Sequence, residues 1–176
     1  MNYASIKPVD IANGLGCRVS LFVSGCPHQC KGCFNKETWD SEYGEEFTKE
    51  IEKKIIRLLS PHYIKGLSLL GGEPLTIPHL LSLGHLLETV KNTYPDKDIW
   101  CYTGYLYDDV IKMANTCPQY QDIVSKIDVL VDGPFIEELK APNLRFRGST
   151  NQNVIDFKKS MIENKMILHE TMTEEI

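Results

Sequence analysis

The sequence predicts an α/β fold in which parallel strands and outer helices form an open, partial (β/α) barrel. Short apolar runs alternate with amphipathic segments along the chain, which is the pattern of successive βαβ units. Each apolar run also ends in a polar or glycine-rich loop. Four or five strand signals in 176 residues are too few for a closed eight-stranded barrel, so the open form is predicted.

The predicted elements follow one another in a regular order. Apolar runs, of which the first is CRVSLFVS, predict strands at residues 17–24, 67–70, 98–102 and 127–131. Apolar residues three and four positions apart predict helices at residues 48–59, 78–92 and 107–115. Thr48 is the expected N-cap of the first helix, and Pro78 falls in the first turn of the second. Residues 34–46 are polar and turn-rich, which predicts an irregular connection.

Composition and charge narrow the class of protein. A chain of 176 residues that is 42% hydrophobic and 24% charged suits one globular domain with its own core. It has no run of about 18 apolar residues, so no membrane span is predicted. A net charge of −5 without a basic patch argues against nucleic-acid binding. The N-terminus lacks the apolar core of a signal peptide, so we expect a cytoplasmic location.

The strongest chemical signal is a cysteine triplet in the loop after the first strand. Cys26, Cys30 and Cys33 have the spacing Cys-x3-Cys-x2-Cys. Thiolates are the usual ligands of iron–sulfur clusters, and three of them can hold three corners of a 4Fe-4S cluster. The fourth iron then stays open to another ligand. Pro27 and Gly32 suit a chain that wraps closely around such a cluster.

Zinc is the alternative that the spacing leaves open. Structural zinc sites usually take four ligands in two pairs, whereas here one compact triplet stands alone. Cys17 could fold back as a fourth ligand, and His28 lies inside the loop. We expect His28 to face solvent, and we expect Cys17, Cys101 and Cys117 to be buried small hydrophobic residues.

A glycine loop, Gly71-Gly72-Glu73-Pro74, follows the second predicted strand. Such a sequence can be a simple turn, but two glycines also let the backbone approach a ligand closely. The carboxylate of Glu73 could accept a hydrogen bond from an ammonium group. Because the carboxyl ends of parallel strands meet at one edge of a sheet, we expect this loop beside the cysteines.

Together these two loops resemble those of the radical S-adenosylmethionine superfamily, which places a cysteine triplet after its first strand and a Gly-Gly-Glu-Pro-like loop after its second. The resemblance implies a partial barrel of the radical S-adenosylmethionine type. It implies that the cluster ligands are Cys26, Cys30 and Cys33. It also implies that Gly71, Gly72 and Glu73 bind the methionine end of S-adenosylmethionine, with Gly72 as the backbone contact to its amino group.

The position before the third cysteine departs from the superfamily pattern. Many members have an aromatic residue there that contacts adenine, whereas this chain has Gly32, and Phe34 follows the cysteine. We therefore expect adenine to rest against the backbone of Gly32, Cys33 and Phe34 rather than on a stacked ring.

Further segments resemble the activating enzymes of anaerobic (class III) ribonucleotide reductases. They are residues 2–14, 21–26, 33–39, 97–100, 103–105, 129–135 and 147–152. The resemblance covers residues 1–157, which we expect to form the activase domain, and leaves residues 158–176 as an extension without an assigned role. It assigns no role to Asp132, Arg145 or Arg147.

That resemblance implies a defined reaction and two partners. A one-electron donor such as flavodoxin reduces the cluster, S-adenosylmethionine is cleaved to methionine and a 5′-deoxyadenosyl radical, and that radical takes hydrogen from a glycine in the large subunit of the reductase. Two alternatives remain open at this point. One is a radical enzyme acting on a small molecule such as a deazapurine precursor, and the other is a non-catalytic zinc or redox module.

Overall fold

The computed structural model describes residues 1–172, and its centre is one seven-stranded sheet. The strands are β1 (Asn2–Asp10), β2 (Cys17–Val23), β3 (Glu45–Glu46), β4 (Ile64–Gly71), β5 (Asp98–Tyr102), β6 (Val129–Asp132) and β7 (Asn153–Asp156). Their spatial order is β3-β1-β2-β4-β5-β6-β7. The four predicted strands are therefore confirmed as β2, β4, β5 and β6.

The sheet is parallel only in its centre. β2 pairs in parallel with β4, β4 with β5, and β5 with β6. The edges are antiparallel, because β1 pairs with β2 and β3, and β7 pairs with β6. The prediction of parallel strands was wrong for these edges. β1 has several exposed residues and β3 and β7 are short, so none of the three produces a long apolar run.

Five α-helices accompany the strands within the described residues: α1 (Lys49–Leu59), α2 (Ile77–Thr93), α3 (Tyr107–Thr116), α4 (Pro118–Val124) and α5 (Phe157–Glu163). Short 3-10 helices cover Lys36–Trp39, Glu137–Leu139 and Glu170–Met172. Thr48 caps α1 as predicted, since its Oγ1 accepts a hydrogen bond from the N–H of Ile51. No helix in residues 1–172 combines the length and apolar character needed to cross a membrane.

Side chains alternate between the two faces of the central strands. Val19, Leu21 and Val23 of β2 belong to the main core, which also holds the buried residues of α1 to α4. The opposite face carries Arg18 and Ser20, and beyond them Ser68, Trp100 and Tyr102 from the neighbouring strands. The helices therefore cover one face, and the other face turns polar side chains toward loops.

Arg18 anchors the loop-covered face. Its fully buried guanidinium donates to Ser68 Oγ at 2.7 Å and to the carbonyl of Leu67 at 3.0 Å, and it pairs with Asp98 at 2.6 Å. The guanidinium carbon of Arg18 also lies over the ring of Trp100, 5.3 Å from the ring centroid. Burial lowers the pKa of Arg18, and Asp98 opposes that change.

We expect Arg18→Met to lower the free energy of unfolding by about 3 kcal/mol, because several buried acceptors would lose their donor while the volume is largely kept. Chemical denaturation of the metal-free protein measures this. Arg57→Met, on the exposed side of α1, is the matched control and should change stability by less than about 0.5 kcal/mol. An equal loss in both variants would contradict the anchoring role.

The extension after residue 157 is partly structured. Phe157 begins α5 and is fully buried, Leu168 forms an isolated bridge with Ile155, and the ring of His169 meets Trp100 edge-on at 5.3 Å. His169 thereby covers part of the second face of the sheet, whereas Phe157 packs in the main core. Residues 173–176 of the predicted extension lie outside the described residues.

Candidate functional site

A cavity of about 380 Å³ opens at the carboxyl ends of the parallel strands. It is lined by residues from five segments: the connection between β1 and β2, the cysteine loop, the Gly-Gly-Glu loop, the turn after β5 and the connection between β6 and β7. The structure brings nearly all the predicted site residues together there, namely Cys26, Cys30, Cys33, Phe34, Gly71, Gly72 and Glu73. Gly32 instead packs against Glu137, whose Oε1 lies 2.8 Å from where a Cβ on Gly32 would be.

The cysteine loop is shaped by residues with left-handed backbone angles. Gly25 has φ 99°, Gln29 has φ 47° and Gly32 has φ 75°. Glycine adopts such angles freely, whereas Gln29 holds one at a cost. A turn closed by the N–H of Cys33 and the carbonyl of Cys30, at 3.1 Å, completes the loop. The chain therefore doubles back tightly enough to present three sulfurs to one cavity.

The three thiols are free and partly buried. The backbone N–H of Asn35 donates to Cys33 Sγ at 3.4 Å. Burial raises the pKa of Cys26, and backbone N–H groups of His28 and Gln29 act in the opposite direction. Hydrogen bonds of this kind stabilise negative charge on sulfur, as they do around iron–sulfur clusters.

An all-thiolate set of three fits an iron–sulfur cluster. Within residues 1–172, no three His, Cys, Asp or Glu side chains are already arranged around one point as metal ligands. Cys26, Cys30 and Cys33 thus line the same cavity, but their side chains do not already surround one common point.

The other cysteines cannot complete a four-ligand zinc site with this triplet. Cys17 begins β2 and the triplet follows its far end, so the seven-residue strand separates them by about 20 Å. Cys101 is fully buried in the core, as predicted, and burial raises the pKa of its thiol. Cys117 is partly buried beyond α3, where its Sγ donates to Gln119 Oε1 at 3.0 Å.

The Gly-Gly-Glu loop is fastened directly to the cysteine loop. The N–H of Gly72 donates to the carbonyl of Val23 at 2.7 Å, and the N–H of Glu73 donates to the carbonyl of Gly25 at 2.8 Å. Gly71 has φ 105°, and a Cβ there would come within 2.8 Å of the β2 backbone. The two glycines are therefore required for the close approach of the two loops.

Glu73 has a fully buried carboxylate with four donors. Oε1 accepts from the N–H of Leu75 and from Thr103 Oγ1, each at 2.9 Å. Oε2 accepts from the N–H of Gly104 at 2.7 Å and contacts His28 Nε2 at 2.8 Å. Because these partners occupy the carboxylate, the geometry favours a positioning task for the side chain of Glu73.

The prediction that His28 faces solvent was wrong. Its side chain is 17% exposed, and its ring meets Tyr105 edge-on with centroids 4.6 Å apart. Sequence reasoning also missed His79 of α2, which is buried and whose Nδ1 lies 2.8 Å from the carbonyl oxygen of Glu73. Burial lowers the pKa of His79. The one sequence signal that could have pointed to a role for His28 was its position between Cys26 and Cys30.

The connection between β6 and β7 closes one side of the cavity. Phe135 lies 6.3 Å from Phe34 between ring centroids, and Lys31 pairs with Glu137 at 3.3 Å and with Glu138 at 3.0 Å. These contacts hold the connection against the cysteine loop.

The polar residues without an assigned role also belong to this region. Asp132 is buried and accepts from the N–H groups of Tyr107 and Asn153, each at 2.9 Å, so it fixes the starts of α3 and β7. Arg147 lines the cavity and donates to the carbonyl of Gln152 at 3.2 Å. The guanidinium of Arg145 lies over the ring of Phe146, 5.4 Å from its centroid.

Comparisons with known proteins agree with this site. The family model of the 4Fe-4S single cluster domain matches residues 12–155. A relative from Vibrio cholerae serotype O1 is 46% identical over 159 residues, which is 89% of this chain and 99% of the relative. A relative from Escherichia coli K12 is 46% identical over 156 residues, or 88% and 97% of the two chains. One from Enterobacteria phage T4 is 40% identical over 154 residues, or 88% and 93%.

All three relatives are anaerobic ribonucleoside-triphosphate reductase-activating proteins. The fold and the thiol-lined cavity thus define an iron–sulfur protein with a single 4Fe-4S cluster domain. More narrowly, the chain belongs to the family of anaerobic ribonucleoside-triphosphate reductase-activating proteins.

Proposed function

We propose that this protein is a radical S-adenosylmethionine activase that places a glycyl radical on an anaerobic ribonucleotide reductase. The observation that carries the proposal is that the three thiols and the Gly-Gly-Glu loop line one cavity. Relatives at 46% identity, named for activation of that reductase, support the choice of protein substrate. When bound, the cluster and S-adenosylmethionine would supply one-electron cleavage of the sulfonium and hydrogen abstraction from a glycine.

The chain's own residues would hold and orient these groups. Cys26, Cys30 and Cys33 would bind three irons through their thiolates. The backbone of Gly71 and Gly72, with Glu73 behind it, would hold the methionine end, which is possible because the glycines leave the backbone open. A cavity of about 380 Å³ lies within the range of small-ligand sites, about 300–1,000 Å³.

The nucleoside end is assigned to the backbone of the segment Gly32, Cys33 and Phe34, of which Cys33 and Phe34 line the cavity and Gly32 lies beside it against Glu137. The side chain of Phe34 is 75% exposed at the mouth of the cavity, and Lys140 Nζ lies 4.9 Å from its ring centroid. The ring of Phe34 therefore lies at the open side of the cavity and does not pack in the core.

The same proposal includes a sheet that curves into an open, partial barrel. Within residues 1–172, the sheet ends in the antiparallel strands β3 and β7 and has no further βα unit to close it, so its loop-covered face stays accessible at one end. An open mouth suits a protein segment that carries a glycine. A cytoplasmic setting and a flavodoxin-type electron donor are also part of the proposal.

The test uses the reconstituted protein, a strong chemical reductant, S-adenosylmethionine and the reductase large subunit, all under anaerobic conditions. The expected result is a glycyl-radical signal in electron paramagnetic resonance, together with 5′-deoxyadenosine in comparable amount. Flavodoxin should replace the chemical reductant. Production of 5′-deoxyadenosine without any radical on the reductase would contradict the protein substrate and favour a small-molecule enzyme.

A further inference from the structure

His28 adds a side-chain hydrogen bond to the two backbone hydrogen bonds that join the cysteine loop to the Gly-Gly-Glu loop. A carboxylate can only accept, so Nε2 of His28 carries the proton and donates to Glu73 Oε2 across 2.8 Å. The other donors to this carboxylate come from the Gly-Gly-Glu loop itself and from the turn after β5. His28 is therefore the side chain through which the cysteine loop joins a hub that the other two segments share.

The ring of His28 is confined on more than one side. Tyr105 contacts it edge-on, with an angle of 76° between the ring planes. Gly104 lies so close that a Cβ there would come within 2.4 Å of His28 Cδ2. The turn after β5 thus provides a slot for the imidazole, and the absence of a side chain on Gly104 creates that slot.

The position of His28 affects the backbone that carries Cys30. Gln29, between these two residues, has φ 47°, a left-handed angle that non-glycine residues hold only when their surroundings impose it. Cys26 and Cys30 flank the segment, and His28 is its one described side-chain anchor to the Gly-Gly-Glu loop. Without this anchor, Gln29 would be free to leave its left-handed angle, and the segment would shift relative to the Gly-Gly-Glu loop.

We propose that His28 is a positioning residue that sets the cysteine loop in register with the Gly-Gly-Glu loop through Glu73, and so aligns cluster and S-adenosylmethionine. This inference rests on the proposed function and adds a residue to it. The donor is what matters: without His28 the thiols still bind iron and the backbone hydrogen bonds of Gly72 and Glu73 still join the two loops, but the segment between Cys26 and Cys30 loses its hydrogen bond to the Glu73 carboxylate.

Three variants test whether the hydrogen-bond donor of His28 or the shape of its ring is needed. His28→Phe keeps a flat ring in the slot and removes the donor, whereas His28→Gln places an amide N–H near the position of Nε2. His85→Ala is the matched control, since His85 is an exposed residue of α2 that pairs with Glu52. All proteins are reconstituted with iron and sulfide, and bound iron is counted for each.

The first readout is titration of the reduced protein with S-adenosylmethionine, followed by electron paramagnetic resonance. We expect His28→Phe to retain its iron and to need about tenfold more S-adenosylmethionine for half-saturation. His28→Gln and His85→Ala should stay within about twofold of the unmodified protein. A His28→Phe titration that matches the unmodified protein, or a His28→Gln defect as large as that of His28→Phe, overturns the proposal.

The second readout does not need S-adenosylmethionine, so it separates failure of this inference from failure of the proposed function. The N–H of Gly104 donates to Glu73, and its hydrogen exchange in the cluster-loaded protein reports whether the hub is intact. Exchange should be about tenfold faster in His28→Phe and unchanged in His28→Gln. Unchanged exchange in His28→Phe contradicts the inference even if the protein never binds S-adenosylmethionine.

Discussion

Replacement of Cys30 by alanine is expected to remove the cluster. Cys30 is the middle thiolate of the triplet, and without it two anchors would remain for three irons. After reconstitution, the variant should lose the brown absorption at about 400 nm and bind less than about a tenth of the iron of the unmodified protein. It should produce no 5′-deoxyadenosine under strong reductant.

Cys117→Ala is the matched control for this experiment. Cys117 is also a partly buried free thiol, but it lies after α3, outside the residues that line the cavity. It should keep its iron, its colour and its cleavage activity. Normal cleavage of S-adenosylmethionine by Cys30→Ala would contradict the ligand assignment, and loss of iron in Cys117→Ala would show that the assay does not distinguish the triplet.

Replacement of Gly72 by alanine is expected to have the second-largest effect. A Cβ at this position would meet the carbonyl oxygen of Gly25 at 2.5 Å and that of Thr38 at 3.0 Å. Both contacts are with backbone, so neither can be relieved by rotation of a side chain. Because Gly25 directly precedes Cys26, the displacement would reach the first ligand and the proposed methionine-binding loop together. We expect S-adenosylmethionine cleavage to fall by at least about 100-fold, measured as 5′-deoxyadenosine.

A glycine elsewhere provides the comparison for Gly72. Gly84 lies inside α2, where a Cβ would meet Asp122 Oδ2, the end of a flexible side chain, at 3.3 Å. Alanine also favours helix over glycine by about 1 kcal/mol, so Gly84→Ala should keep its activity and its thermal stability. Full activity in Gly72→Ala would show that the close approach of the two loops is not needed for the reaction.

The central fold could be predicted because its strands are buried on both faces. β2, for example, is apolar except at Arg18 and Ser20, and Gly25 follows it closely. β1 could not be found in this way, since its burial varies along the strand, and β7 has only two apolar residues between an Asn and an Asp. α4 was missed because it has only seven residues and is separated from α3 by Cys117 alone.

The sequence could predict which loops form the site, but not the hydrogen bonds that connect them. Spacing alone identified the cysteine triplet, and the order of strands placed the glycine loop near it. The contact of Glu73 with Thr103 depends on the register of two strands, in which Leu69 of β4 pairs with Cys101 of β5. No periodicity in the sequence encodes that register, so the contact of His28 with Glu73 emerged only from the folded chain.

The most direct test of the central claim is electron paramagnetic resonance of the anaerobically reduced protein, recorded before and after addition of S-adenosylmethionine. A cluster held by three thiolates keeps one iron free for the amino and carboxylate groups of this ligand, so its signal should change on addition. A colourless protein that carries zinc, or a reduced cluster whose signal is the same with and without S-adenosylmethionine, would contradict the account.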